Sequence, residues 1–299
     1  MKGRTTNNMV HYFKLAGGRF VLDEASGYAA AVDEITYKML AYLTLPLPED
    51  CPSAIRYDMA KYDSRLVDET YAAILEKHKA GLLYTDVPFD AEKAPSLCAV
   101  TSVSPAETLD GITCPVLLGD TNNTENARLL CKAAKEKGLT LTVILTQDGD
   151  FPCDRLIVPA EKYAQYRTAA PQVGVRFSYD VKKPDILSKL IEYADDGITL
   201  IDAYPENPRE REEGAQTALL KEFGRAAKEL FLRKKEGRPV EFLPIAMQGK
   251  DAKHGVGAHR NERCLTCSHR TVCGGRRLSF ADCEVKKTLA DCAVMLELS

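Results

Sequence analysis

Five of the ten cysteines lie between Cys264 and Cys292, and three of them, Cys264, Cys267 and Cys273, form the frame CLTCSHRTVC. Two thiols spaced as in CLTC sit on one turn and can grip one ion; a third, five residues further on, can close over its other side. Thiolates in such a frame suit tetrahedral Zn²⁺ or an iron–sulfur cluster, and both need a fourth ligand. Cys283, ten residues past Cys273, is the nearest candidate, and Cys292 competes with it. Cys292 shares one helical face with Val285, Leu289, Ala293 and Leu296, which reads as buried packing. Cys283 opens the same helix, where the positive dipole end favours a thiolate. Gly274 and Gly275 let the chain turn closely against an inorganic centre. Arg277 stands where another thiol of the frame would be expected. His254 and His259, in GKDAKHGVGAHRNE, could reach a metal, but that polar, glycine-containing stretch is read as exposed loop.

The remaining cysteines carry no ligand pattern. Cys131 lies on one helical face with Ala127, Leu130 and Ala134 and reads as core. Cys98 and Cys114 sit in apolar strand-like runs. Cys51 and Cys153 stand beside prolines in predicted loops. A formal net charge of −3 gives no basic field for nucleic acid or an anionic membrane surface. The opening MKGRTTNNMVHYFKL lacks the apolar run of a signal peptide, and no stretch is long and apolar enough to span a bilayer. The expectation is a cytoplasmic protein with reduced thiols.

Three segments must position these residues. Residues 1–90 are predicted to form a small α+β unit: three short strands in HYFKLAGG, RFVLDEASG and YAAAVDEI, then helices in TYKMLAYL and LVDETYAAILEKHKAG. Val67, Tyr71, Ile74 and Leu75 line the inner face of the second helix, Gly81 ends it, and LLYTD is expected to return as a strand or wing. His78, near that apolar stripe, reads as structural. Residues 91–246, after the polar linker DVPFDAEKAPS, alternate strands with helices and predict parallel βα units. SLCAVTSV, CPVLLGD, LTLTVILT, DRLIVP, VGVRFSYD, ITLIDAYP and VEFLPIAM read as strands. TENARLLCKAAKEKG and DILSKLIEYADDG read as helices capped by Asn123 or Thr124 and by Asp185. About 150 residues is too short for an eight-unit barrel, so a partial barrel or a small open sheet is expected. A long charged helix through REREEGAQTALLKEFGRAAKELFLRKKEG carries the apolar stripe Leu219, Leu220, Phe223, Ala226, Ala227, Leu230 and Phe231. Residues 247–299 hold the cysteine frame. No phosphate-binding loop is present, and GVGAHR lacks the βαβ context of a dinucleotide site.

CLTCSHRTVCGGR resembles the SPASM domain of radical S-adenosylmethionine peptide maturases. CEVKKTLADCAVML looks like the end of the maturases of SCIFF, a six-cysteine ribosomal peptide, and EFGRAAKELFLRKKEGRPVEFL is similar to the helix that precedes their C-terminal domain. VHYFKLAGGRFVLDEASGYAAAVDEITYKML resembles their PqqD-like leader-peptide recognition domain. The resemblance implies an α/β protein with a PqqD-like winged domain at 1–90, a degenerate radical SAM-like partial βα barrel at 91–246 and a SPASM-like metal-binding domain at 247–299. It departs at the chemistry. The family's C-x3-C-x2-C motif has no counterpart; SLCAVTSVSPAETLDG holds one cysteine there, and the GGEP motif falls at GDTNN, Gly119 to Asn123. The resemblance implies one retained cluster, [4Fe–4S] or alternatively Zn²⁺, on Cys264, Cys267, Cys273 and Cys283, while Arg277 replaces a ligand of a lost one. Cleavage of S-adenosylmethionine is not expected. The expected role is a non-catalytic accessory of ribosomal peptide maturation, binding a cysteine-rich precursor or leader peptide, or an active maturase. Phe20, Val21, Leu22, Tyr28, Ala30 and Val32 are the candidate peptide-binding residues. The alternative is a redox enzyme that passes electrons through the single cluster.

Overall fold

The computed structural model describes residues 10–23, 26, 28–84, 97–206, 215–246, 252–253 and 283–298. Strands β1 (Val10–Leu15), β2 (Gly18–Asp23) and β3 (Ala29–Ala31) form an antiparallel sheet in the order β1-β2-β3. The β1–β2 hairpin turns on Ala16 and Gly17, both at positive φ (50° and 85°), as a two-residue turn matched to strand twist requires. Helix α1 (Glu34–Leu40) starts at Asp33, whose carboxylate accepts the Thr36 N–H. Helix α2 (Ser53–Asp58), of under two turns, has no counterpart among the elements expected from the sequence. Helix α3 (Ser64–Lys79) is capped by Asp63. Val67, Tyr71, Ile74 and Leu75 of α3 are buried as their period predicts, packing with Val21, Met39 and Met59. His78 is structural: its Nδ1 lies 3.0 Å from the Leu83 carbonyl.

The expected return strand is absent from the described part of LLYTD, residues 82–84. Tyr84 turns to φ 54°, its N–H donates to Asp23 Oδ2 at 2.7 Å, and its ring is buried. That closure onto Asp23 bends the backbone away from an extended course. Residues 85–96, the end of LLYTD and the linker after it, lie outside the described residues.

The second sheet contains β4 (Leu97–Val100), β5 (Val116–Leu118), β6 (Leu141–Ile144), β7 (Arg155–Pro159), β8 (Gln172–Tyr179), β9 (Leu200–Pro205), β10 (Glu241–Phe242) and β11 (Ala252–Lys253). All pairings are parallel, in the order β11-β4-β5-β6-β7-β8-β9-β10. From β4 to β10 the spatial order follows the chain. A right-handed crossover at each step then places every intervening helix on the same face, as in a barrel. A flat sheet would separate β10 from β11 by about 34 Å at 4.8 Å per strand. The connection between them begins with a helical turn over Leu243–Ala246. It cannot reach that far, since about ten extended residues span at most roughly 34 Å and a helical turn shortens them. The sheet is therefore curled into a partial barrel.

Helices α4 (Thr124–Glu136), the short α5 (Tyr163–Tyr166), α6 (Ile186–Asp195) and α7 (Ala215–Lys235) cover the outer face. Asn123 caps α4 by accepting the Asn126 N–H, and Gly138 beyond its end takes φ 65°. Asp185 sits at the cap of α6 but its side chain accepts no backbone N–H; it pairs instead with Lys189 at 3.1 Å. The expected strand VEFLPIAM is strand only at Glu241 and Phe242. Pro244 lacks the N–H that a ladder needs, and Leu243–Ala246 form the turn α8.

Alternation sorts the strand residues. Val116, Val143, Leu156, Val158, Val175 and Phe177 face the helices, whereas Leu117, Ile144, Ile157 and Leu200 meet Leu243 on the inner face. Helix α9 (Cys283–Glu297) packs Leu289, Cys292, Val294 and Met295 into the core that holds Phe223 and Leu230 of α7. Phe13 and Phe20 of the first sheet join this core, and His11 Nε2 lies 3.0 Å from Asp291 Oδ1.

Candidate functional site

The inner face of the partial barrel is apolar at mid-height and charged at both ends, and the ends differ. At the N-terminal end Arg155 has two acceptors: its Nε donates to Gln172 at 3.1 Å and its Nη2 to Glu241 at 2.6 Å. A cavity of about 690 Å³ opens beside this pair, lined by Leu230, Val240, Phe242, Ile245 and Leu296 among others. Its cationic Lys234 already donates to the Leu296 carbonyl at 2.5 Å. Volume alone would favour this cavity as a ligand site. Its two cations, Arg155 and Lys234, already have partners within the protein, so it offers an anionic ligand no uncommitted cation among its described lining.

The C-terminal end is the one where barrel folds place their chemistry, because the loops that follow the strands converge there. Arg176 on β8 lies opposite Asp202 on β9 in the parallel register, and Ser178 lies opposite Tyr204. Gly174, two positions before Arg176 on the same face, permits this close approach; a Cβ there would stand 2.3 Å from the Leu200 carbonyl oxygen. Arg176 Nε is 2.9 Å from Asp202 Oδ2. The contact is an ion pair without a well-formed hydrogen bond: the Nε–H is buried and not aimed at the carboxylate. The Tyr204 ring stacks on the guanidinium with its centroid 4.3 Å away. Ser178 donates to Glu206 at 2.7 Å. Burial pushes the Asp202 carboxyl up to about 6, against the lowering pull of Arg176 and of the Ala203 N–H.

Further along the same rim, Ser102 after β4 makes a very short contact to Asp120 after β5. Asp120 also accepts the Asn122 N–H, Asn123 N–H donates to Ser102 Oγ, and Asn126 donates to the Ser102 and Ser104 carbonyls. This network ties the first two strand ends together; the segment Gly119 to Asn123 thus closes a turn and caps α4.

The candidate peptide residues divide between two strands. Phe20, Val21 and Leu22 lie in β2, which is paired on both sides and buries all three side chains. Tyr28, Ala30 and Val32 lie in or beside β3, with side chains packed on the core of the N-terminal unit. The Asp23 N–H donates to the Tyr28 carbonyl and the Val32 N–H to the Arg19 carbonyl. Antiparallel pairing alternates, so the backbone groups of Ala29 and Ala31 face away from β2. Among the described residues no strand pairs with that edge.

Of the candidate metal ligands, Cys264, Cys267 and Cys273 lie outside the described residues, as do His254, His259 and Arg277. Helix α9 begins at Cys283. Cys292 is buried in the α7–α9 core, where burial raises its thiol well above the usual range. Among the described residues no group of three or more potential ligands converges. Cys98, Cys114 and Cys131 are buried on the helix-facing side, away from the inner face.

Arg176 and Asp202 went unread in the sequence. Arg176 is the one charge in β8, QVGVRFSY, and Asp202 the one charge in β9, LIDAYP, and each stands at the position that alternates away from the helix-facing residues. That pattern flags an inward charge, but only the strand register shows that the two charges meet.

No family profile matches the chain, and no curated protein matches it. Among solved structures, the chain is similar to Streptococcus suis SuiB bound to S-adenosylmethionine, with a TM-score of 0.40 and 9% identity, over 91% of this chain and 94% of that one. No helix among the described residues is long and apolar enough to cross a membrane.

Proposed function

We propose that this protein is a non-catalytic accessory of ribosomal peptide maturation that binds a precursor or leader peptide as an added strand on β3. The observation that carries the reading is the outward backbone of Ala29 and Ala31 on an edge with no partner strand among the described residues. An extended peptide gains affinity there from main-chain hydrogen bonds, and the small alanine side chains leave its approach unobstructed. The sheet behind that edge is held rigid by two cores, so little ordering is required of the protein on binding.

The lack of radical chemistry in this reading rests on the residues around the strand ends. The segment from Thr101 to Cys114 after β4 contains one cysteine, and Cys114 is buried against the helices. The rim instead carries Ser102, Asp120, Arg176 and Asp202, which supply no thiolate for a cluster. In the same reading Cys264, Cys267, Cys273 and Cys283 hold one [4Fe–4S] cluster or Zn²⁺ that fastens the C-terminal segment, since metal binding at such sites contributes to folding. An active maturase is the second expected partner.

The test is fluorescence anisotropy with a labelled leader peptide of a cysteine-rich precursor, alone and with an active maturase. Saturable binding by the full chain is expected. Binding neither to peptide nor to maturase refutes the proposal, as does formation of 5′-deoxyadenosine from S-adenosylmethionine and dithionite.

A further inference from the structure

We propose that the C-terminal mouth of the partial barrel holds a binding site for a carboxylate-bearing ligand, with Arg176 as the recognising fork, Asp202 as the competing carboxylate beside it and Tyr204 as an aromatic wall. The site is separate from the β3 edge and stands whether or not that edge binds peptide.

The contrast between the two inward arginines carries the inference. Both project from the inner face of neighbouring strands, β7 and β8. Arg155 donates to two acceptors at good distance. Among the described residues Arg176 has one ionic neighbour, Asp202, and its buried Nε–H makes no hydrogen bond. Its remaining N–H groups donate to no acceptor among the described residues. A buried donor left without an acceptor costs about 1–3 kcal/mol, and a charged one more. Such a group persists where an acceptor arrives from outside.

Its surroundings fit a ligand rather than a structural ion pair. Asp202 is almost wholly buried and holds Arg176 from one side only. The Tyr204 ring fixes the guanidinium plane from its face and is itself 39% exposed, so the wall of the site is open to solvent. Gly174 brings β8 against β9 and sets the height of Arg176 opposite Asp202. The location is the end of the strands at which loops of a barrel converge.

Charge selects the class of ligand. A planar guanidinium matches a carboxylate or a phosphate by paired N–H donors. Here the Asp202 and Glu206 carboxylates stand on the adjoining strand end, so a dianion meets two like charges while a monoanion meets them at half the cost. A single carboxylate, such as a free peptide C-terminus or an acidic side chain, satisfies the fork with the least repulsion.

The experiment uses the full chain labelled with ¹⁵N-arginine and follows the Arg176 Nε–H resonance, assigned by its loss in Arg176→Gln. The probes are N-acetylglycine, its amide and inorganic phosphate. Expected are a saturable shift with N-acetylglycine, none with the amide and weaker binding of phosphate. Followed by calorimetry, Arg176→Gln should weaken the acid at least about tenfold, and Arg176→Lys should bind it with intermediate affinity. Asp202→Asn should tighten it severalfold, because one competing negative charge is gone; a purely structural pair would give loss in both variants. Melting curves check that each variant is folded, and Arg176→Lys serves if Arg176→Gln is not. Equal binding of acid and amide, undiminished binding in the arginine variants, weaker binding in Asp202→Asn, or no saturable shift overturns the proposal.

Discussion

Asp202 is a carboxyl whose environment opposes its charge. It holds its proton up to about 6 in the folded chain, while an unfolded aspartate releases it near 3.8. Folding therefore takes up a proton between those values. The contribution to stability is fully present below about 3.8 and is lost as pH rises through about 6. The loss is on the order of 3 kcal/mol once both states are ionised. Asp202→Asn removes this dependence. Melting temperatures measured at pH 4.5 and 7.5 should move in the variant's favour at the higher pH, whatever the variant's offset at the lower one. A parallel pH profile for both proteins would count against the buried, raised carboxyl. Gly174 gives the second prediction at this scale. Gly174→Ala places a methyl against backbone that cannot withdraw, so a loss of about 2–3 kcal/mol is expected by denaturant titration. Neither position stands out in the sequence as a site, because the cause lies in register. Nothing in VGVRFSYD or ITLIDAYP states which residues face each other across two strands.

Most elements, by contrast, are legible in advance. The stripe of Val67, Tyr71, Ile74 and Leu75 and that of Leu219, Phe223, Ala226, Ala227 and Leu230 repeat over enough turns to fix both period and face. Asn123 and Gly81 mark ends by their own chemistry. The failures are short or end where local chemistry overrides pattern: α2 is too brief to show a period, Pro244 stops a strand, and Tyr84 is drawn onto Asp23. For β3 the strand is readable from the residues but its open side is not, and the open side decides where a peptide can add. The prediction for this element is a pair of prolines. Ala31→Pro removes an N–H that faces outward, so the ladder to β2 survives and peptide binding is lost. Ala30→Pro removes an N–H facing β2 and should lower the melting temperature by several degrees. Anisotropy and melting together separate the two; a peptide that binds Ala31→Pro with unchanged affinity uses another surface.

At the scale of the whole molecule, α9 closes the core that joins the two sheets. Cys292 lies at the centre of that closure, so Cys292→Ala should cost about 1–2 kcal/mol in stability and leave metal content unchanged. Cys264→Ala, in the frame proposed to hold the ion, should lower metal content. Elemental analysis after anaerobic purification compares the two variants, and equal loss of metal in both would make Cys292 a ligand. The cysteine frame is the plainest signal in the sequence. The barrel-like curl is less plain, since strand order appears only when the strands are paired.

Phe13 and Phe20 are translated long before Leu289, Cys292 and Met295, yet all five share a core. Roughly 270 residues separate the two sides of that contact, so at 5–20 residues per second the aromatic pair waits on the order of 15–55 s for its cover. A ribosome-bound chain stalled before α9 should accordingly offer this face to chaperones and proteases, and emergence of α9 should withdraw it. The unit proposed to greet a peptide therefore matures only once the far side of its own core has been made.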